Sequence, residues 1–126
     1  MTALQDGGWL VTWGSWDQDG GGLGIYQQRY SSTGTAIGGE IRVNTYTDGD
    51  QWSSSIAELA DGGWLVCWQS MQQDGSGYGT YQQRYGSNGV AIGGEVRVNT
   101  NIDGHQQSPT VTALADGGWL VSWVSD

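Results

Sequence analysis

Apolar and polar positions alternate at a period of two in short runs separated by glycine-rich turns, a pattern that predicts strands and no helix. The clearest run, Trp64 to Trp68, sets Trp64, Val66 and Trp68 on one face and Leu65 and Cys67 on the other, so this strand is apolar on both sides. Upstream, Ser54 to Ala60 is a strand-forming run that ends in Asp-Gly-Gly, as does Thr110 to Ala115, and the glycines of such a hairpin turn accept positive φ. Downstream, a Gly- and Asp-rich loop, Gln72 to Gly79, leads to a strand over Thr80 to Tyr85, with Tyr81, Gln83 and Tyr85 opposite Gln82 and Arg84. A turn at Gly86 to Gly89 then precedes a strand over Glu95 to Thr100, with Val96 and Val98 opposite Arg97 and Asn99. The predicted unit is a four-stranded antiparallel meander, a-b-c-d.

The unit recurs. Gly-Gly-Trp-Leu-Val-x-Trp begins at Gly7, Gly62 and Gly117, a strict spacing of 55 residues, and residues 7–61 match residues 62–116 at about 35 of 55 positions. This divides the chain into residues 1–6, a partial first strand; 7–61, repeat 1; 62–116, repeat 2; and 117–126, the opening of repeat 3, all within one structural domain. A tandem meander whose second strand is apolar on both faces predicts an all-β protein of propeller-blade repeats, two and a half per chain. The alternative is a ten-stranded β-barrel closed by two pseudo-symmetric halves. Six tryptophans, at 9, 13, 64, 68, 119 and 123, recur with the repeat and are expected in the core, whereas Trp16 and Trp52 do not recur. Two and a half blades leave open edges and exposed tryptophan faces, so the expected partner is a second copy of the chain in a homo-oligomer.

Composition narrows the function. The 126 residues hold 23 Gly, 8 Trp and 6 Tyr, and Lys plus Arg number 4 against 13 Asp plus Glu, for a net charge of −9. That balance removes the electrostatic basis for nucleic-acid binding. No run approaches ~20 apolar residues, so no membrane insertion is expected. Cys67 is alone, which excludes an internal disulfide and a cysteine-based zinc cluster. No secretory signal opens the chain, and Met1 precedes a unit entered midway, so a fragment of a longer array is expected.

The strings at Asp61 to Trp68, Gln73 to Tyr85 and Gly93 to Thr100 resemble tandem repeats of large secreted bacterial surface proteins, including calcium-dependent, RTX-type adhesin-like polypeptides. The resemblance implies a secreted or cell-surface parent protein and a non-catalytic, adhesive or ligand-binding role. Ser15-x-Asp17 followed by Gly22-x-Gly24-x-Tyr26 also resembles the Asp-box turn of sialidase-like propellers, a structural motif that implies blade geometry and no sialidase activity.

Catalytic constellations are not assembled by the sequence. His105, the one histidine, stands in a polar loop where repeat 1 has Asp50, which reads as a solvated position. Glu40 and Glu95 begin equivalent strands in separate units and Glu58 becomes Ala113, so no carboxylate pair for glycoside chemistry is indicated. The expectation is that the chain is not an enzyme and needs no cofactor. Calcium is the one ion its loops suggest: Asp17 and Asp19 alternate ahead of three glycines, and Asp74 is the part of that pattern repeat 2 keeps. Asp-Gly turns capping local amides are the plainer reading of Asp19 and Asp74.

Binding of a neutral glycan is the sharpest functional expectation. Sugar sites pair aromatic faces with planar, multi-point hydrogen-bonding groups, and the c and d strands supply Gln27, Arg29, Arg42 and Asn44, repeated as Gln82, Arg84, Arg97 and Asn99. The plainer account is that these side chains link neighbouring blades or cover an outer face. Trp16, Trp52 and Tyr78, aromatic in one repeat only and expected on loops, complete the candidate ligand contacts. Two function classes are therefore carried forward, a lectin-like or adhesive binding module and a purely structural spacer or self-assembling fragment.

Overall fold

A computed structural model describes residues 1–126 as ten antiparallel strands with no helix. The strands are β1 (Thr2–Ala3), β2 (Trp9–Trp16), β3 (Leu23–Tyr30), β4 (Ala36–Arg42), β5 (Gln51–Glu58), β6 (Trp64–Met71), β7 (Tyr78–Tyr85), β8 (Ala91–Arg97), β9 (Gln106–Ala113) and β10 (Trp119–Ser125). They form three meander sheets: β1-β2-β3-β4, β5-β6-β7-β8 and the pair β9-β10, here called the first, middle and last sheets. Each sheet takes its first strand from the residues just before a Gly-Gly-Trp motif.

The turn chemistry explains the motif. In the middle sheet Gly62 has φ +83°, and a Cβ on Gly63 would lie 2.2 Å from the Tyr85 carbonyl oxygen, so both positions require glycine. Asp61 Oδ1 accepts the Gly63 amide at 2.9 Å, and the equivalent aspartates Asp6 and Asp116 accept from Gly8 and Gly118.

The sheets stack face to face. Each has a Trp face, in the middle sheet Trp64, Val66, Trp68, Tyr81 and Tyr85, and a Leu face, there Leu65 and Cys67. The middle Trp face packs on the Leu face of the first sheet through Leu10, Ile25 and Val43. The middle Leu face packs on the last sheet through Val111, Trp119 and Val121. Strand β6 is therefore buried from Trp64 to Ser70, whereas β2 and β10, its equivalents, are open on one side.

Several expectations are corrected by this arrangement. The ten-stranded barrel is excluded, because no strand pairing joins one sheet to the next; side-chain stacking closes the core instead of a continuous ladder. The fourth strand runs Ala91–Arg97, earlier than Glu95 to Thr100, since Gly93 at φ +71° lets the chain bulge and continue pairing with β7. The first strands of the middle and last sheets begin sooner than expected, at Gln51 and Gln106. Trp16 and Tyr78 end and begin strands, and Trp52 lies within β5, so none of the three stands on a free loop. Of the six recurring tryptophans, Trp64 and Trp68 are fully buried, while Trp123 is 36% exposed because its sheet has no third strand to supply a tyrosine against it.

Candidate functional site

The polar residues singled out on β3 and β7 converge on the joints between sheets. Gln27 is buried, and its Oε1 accepts the Trp64 indole N–H at 3.1 Å across the first joint. Arg29 lays its guanidinium over the same indole, 5.6 Å from the ring centre, donates to Asp6 at 2.8 Å and reaches the Ser87 carbonyl at 3.1 Å. The second joint repeats the design: Gln82 accepts from Trp119 at 3.2 Å, and Arg84 lies 5.3 Å from that ring centre and pairs with Asp61 at 2.9 Å. The Gly8 amide first, and then Arg29, hold the Asp6 carboxyl below its usual range. Asp61 is lowered in the same way, first by the Gly63 amide. Of the eight polar side chains expected either to contact a ligand or to link neighbouring units, Gln27, Arg29, Gln82 and Arg84 thus make contacts from one sheet to the next.

Beside the first joint lies a cleft of about 200 Å³. Leu10, Ile37 and Ile41 make its apolar wall; Gln27, Arg29 and Asn88 supply planar polar groups; Gly38, Gly39 and Gly89 keep the rim low, and Trp64 closes the floor. Ile37 and Ile41 are 44% and 46% exposed. Arg29 Nε is buried there without a hydrogen-bond partner. The Trp64 ring is covered by Arg29, so it is not an open stacking platform. At the second joint the last sheet has no counterpart of the Gly86 to Gly89 turn, which leaves that cleft half-built. A wider cleft, about 480 Å³, lies between β2, β5 and β9 and is lined largely by hydroxyls, including Thr12, Ser53, Ser54, Ser55, Ser108 and Thr110.

The remaining candidate polar residues serve the loops. Asn44 and Asn99 are buried; Asn44 Oδ1 accepts the Ile25 amide at 2.8 Å and Asn99 Oδ1 the Thr80 amide at 2.8 Å, which extends each ladder past its last strand. Arg42 and Arg97 donate through Nε to the carbonyls of Asn44 and Asn99 at 2.9 and 3.0 Å. Asp19 Oδ1 accepts from Gly21 at 3.1 Å and Oδ2 from Asn44 at 3.2 Å; Asp74 repeats this with Ser76 at 3.2 Å and Asn99 at 3.3 Å. Asp17, at φ +53°, opens the first loop, with its amide on the Gly22 carbonyl at 2.7 Å. No group of three or more His, Cys, Asp or Glu side chains converges as a metal cluster.

The aromatic candidates divide. Trp52 and Tyr78 meet with ring centres 5.4 Å apart, and Tyr78 also meets His105 at 5.0 Å. His105 Nδ1 accepts the Tyr78 amide at 3.3 Å. Trp16 stands apart, 67% exposed at the end of β2. Sequence reasoning set His105 aside because its counterpart is Asp50, yet the two do the same work: Asp50 Oδ1 accepts the Leu23 amide at 3.0 Å. Glu95 was likewise passed over. Its Oε1 accepts from the Thr45 amide and hydroxyl and from the Tyr46 amide, and its Oε2 from Gln73. Burial pushes the Glu95 carboxyl up, but these hydrogen bonds, Gln73 foremost, outweigh it and hold it below the ordinary value.

No family model, no curated protein and no solved structure matches this chain.

Proposed function

We propose that the three stacked sheets are consecutive propeller blades of a non-catalytic repeat module, and that the module works outside the cell as a lectin-like or adhesive binder of neutral glycan. The observation that carries the ligand reading is the first-joint cleft, where an exposed isoleucine wall faces Gln27, Asn88 and the unpartnered Nε of Arg29. A pyranose offers the matching surfaces, one apolar C–H face and a rim of hydroxyls. The net charge of −9 favours neutral over acidic sugars through long-range repulsion. The blade reading is supported by the strand order within each meander and by the face-to-face stacking, and the extracellular setting by the resemblance of the repeat strings.

The test is a glycan array with the full chain, followed by tryptophan fluorescence titration, for which buried Trp64 is a reporter on the cleft floor. Saturable binding competed by free sugar and lost in Ile37→Asp, with the circular dichroism unchanged, is the expected result. A silent array together with a flat titration overturns the ligand reading and leaves a structural spacer.

A further inference from the structure

The 55-residue repeat makes each sheet a control for the others. In the middle sheet both faces are covered, the Trp face by the first sheet and the Leu face by the last. The first sheet leaves most of its own Trp face uncovered: Tyr26 is buried, but Trp9, Val11, Trp13 and Tyr30 are only half-buried, although Trp9 stacks on Tyr30 at 5.6 Å as Trp64 does on Tyr85 at 5.7 Å. The last sheet leaves its Leu face uncovered, with Leu120 59% and Val124 57% exposed. These two open faces match the first- and second-strand part of a joint the molecule already makes twice; the last sheet, with two strands, brings Leu120 to it but no counterpart of Ile25, Gln27 or Arg29. Leu10 and Val66 share the core of the first joint and Leu65 and Val121 that of the second, so the corresponding pair at the open faces, by the same spacing of 56 residues, is Leu120 with Val11.

We propose that a second copy of the chain covers both ends, with the last sheet of each copy seated head to tail on the first sheet of the other. The occupant is identified by continuity with the existing interface, because the apolar residues that Leu120 and Val11 repeat, Leu10 and Leu65 on one side and Val66 and Val121 on the other, already pack within this chain. On the blade reading proposed above, on which this inference rests, two copies of these 126 residues bring together six sheets, within the ~4 to 8 units of a closed propeller, whereas three copies would supply nine. The contact is heterologous, and closure distinguishes it from an open fibre. With −9 on each chain, like-charge repulsion opposes the approach, so added salt strengthens it.

Sedimentation velocity of the full chain, from low salt to about 0.5 M NaCl, is expected to show a two-chain species whose share rises with salt. Leu120→Lys and Val11→Glu are each expected to give monomers with unchanged circular dichroism, since Leu120 is exposed in the single chain. Mixing the two variants brings Lys and Glu together across one contact and leaves the other native, and is expected to restore the two-chain species. Val124→Lys, at a second exposed position, repeats the test should either variant fold poorly. A native chain that stays monomeric at all salts, an association indifferent to both lysine substitutions, a mixture that fails to recover, or particles that keep growing with concentration would each overturn the closed head-to-tail pair.

Discussion

Removing the indole at position 68 tests whether the middle sheet is the mechanical centre of the fold. Trp68 is fully buried, and burying such a side chain withdraws about 150 to 250 Å² from water, at most roughly 4 to 6 kcal/mol at 25 cal/mol/Å². One term works in the opposite direction: the Trp68 indole N–H is buried without a partner, and deleting an unsatisfied donor returns about 1 to 3 kcal/mol. The net expectation for Trp68→Ala, with the cavity included, is a loss of about 3 to 5 kcal/mol, a large fraction of the ~5 to 15 kcal/mol that holds a typical domain together. Trp16→Ala, at a residue 67% exposed, is expected to cost under about 1 kcal/mol. Trp68→Phe separates the two terms, because it keeps most of the ring while removing the N–H, and should cost far less than the alanine variant. Urea unfolding monitored by far-ultraviolet circular dichroism supplies the midpoints and slopes. Equal midpoints for Trp68→Ala and Trp16→Ala would refute the reasoning, as would a Trp68→Phe variant as unstable as Trp68→Ala.

Three further outcomes follow from the same geometry. Glu95 has its folded pKa held below the ordinary glutamate value, so its contribution is present above the unfolded pKa and lost as pH falls through the folded one; Glu95→Gln should cost about 1 to 3 kcal/mol at pH 7 and flatten the acid limb of a stability-pH curve, and an unchanged limb would contradict this. The Cys67 thiol is buried and pushed up to about 11, so the folded chain should resist a thiol reagent at pH 8 and react only at the rate of opening, which labelling with and without urea measures. Chelating divalent cations with EDTA should leave the thermal midpoint in place, because Asp19 and Asp74 spend their oxygens on Gly21, Asn44, Ser76 and Asn99; a drop of several degrees in calorimetry would show that a cation holds these loops.

How far the structure could be read from the sequence depended on whether the determinants were local. The hairpins at Asp61-Gly62-Gly63 and the two-sided apolar strand Trp64 to Trp68 follow from adjacent residues, and so did their prediction. The shift of β8 toward Ala91 was not visible, because Gly93-Gly94 reads equally as a turn or as a bulge until the partner strand fixes it. Gln27 could not be assigned from sequence, since a buried glutamine accepting from an indole 37 positions later looks the same in the chain as one facing a ligand. Asn44 and Asn99 were misleading for a similar reason: lying after the strands, they stand in for backbone acceptors. Trp52 and Tyr78 stand out in the sequence because they break the repeat, but the meeting of Tyr78 with His105 depends on the approach of the last sheet.

That cluster also bears on how a chain of near-copies avoids confusing its own parts. When two joints share the same Trp–Gln–Arg lock, a unit could seat itself beside the wrong neighbour at little energetic cost. At the equivalent place the first joint holds Leu23 against the Asp50 carboxylate, and the second holds Tyr78 against His105 with Trp52 alongside. Exchanging neighbours would set a carboxylate against a phenol ring or leave an imidazole facing leucine. The aromatic trio thus gives one joint an address of its own, so that a sequence written nearly twice still has one order in which its pieces belong.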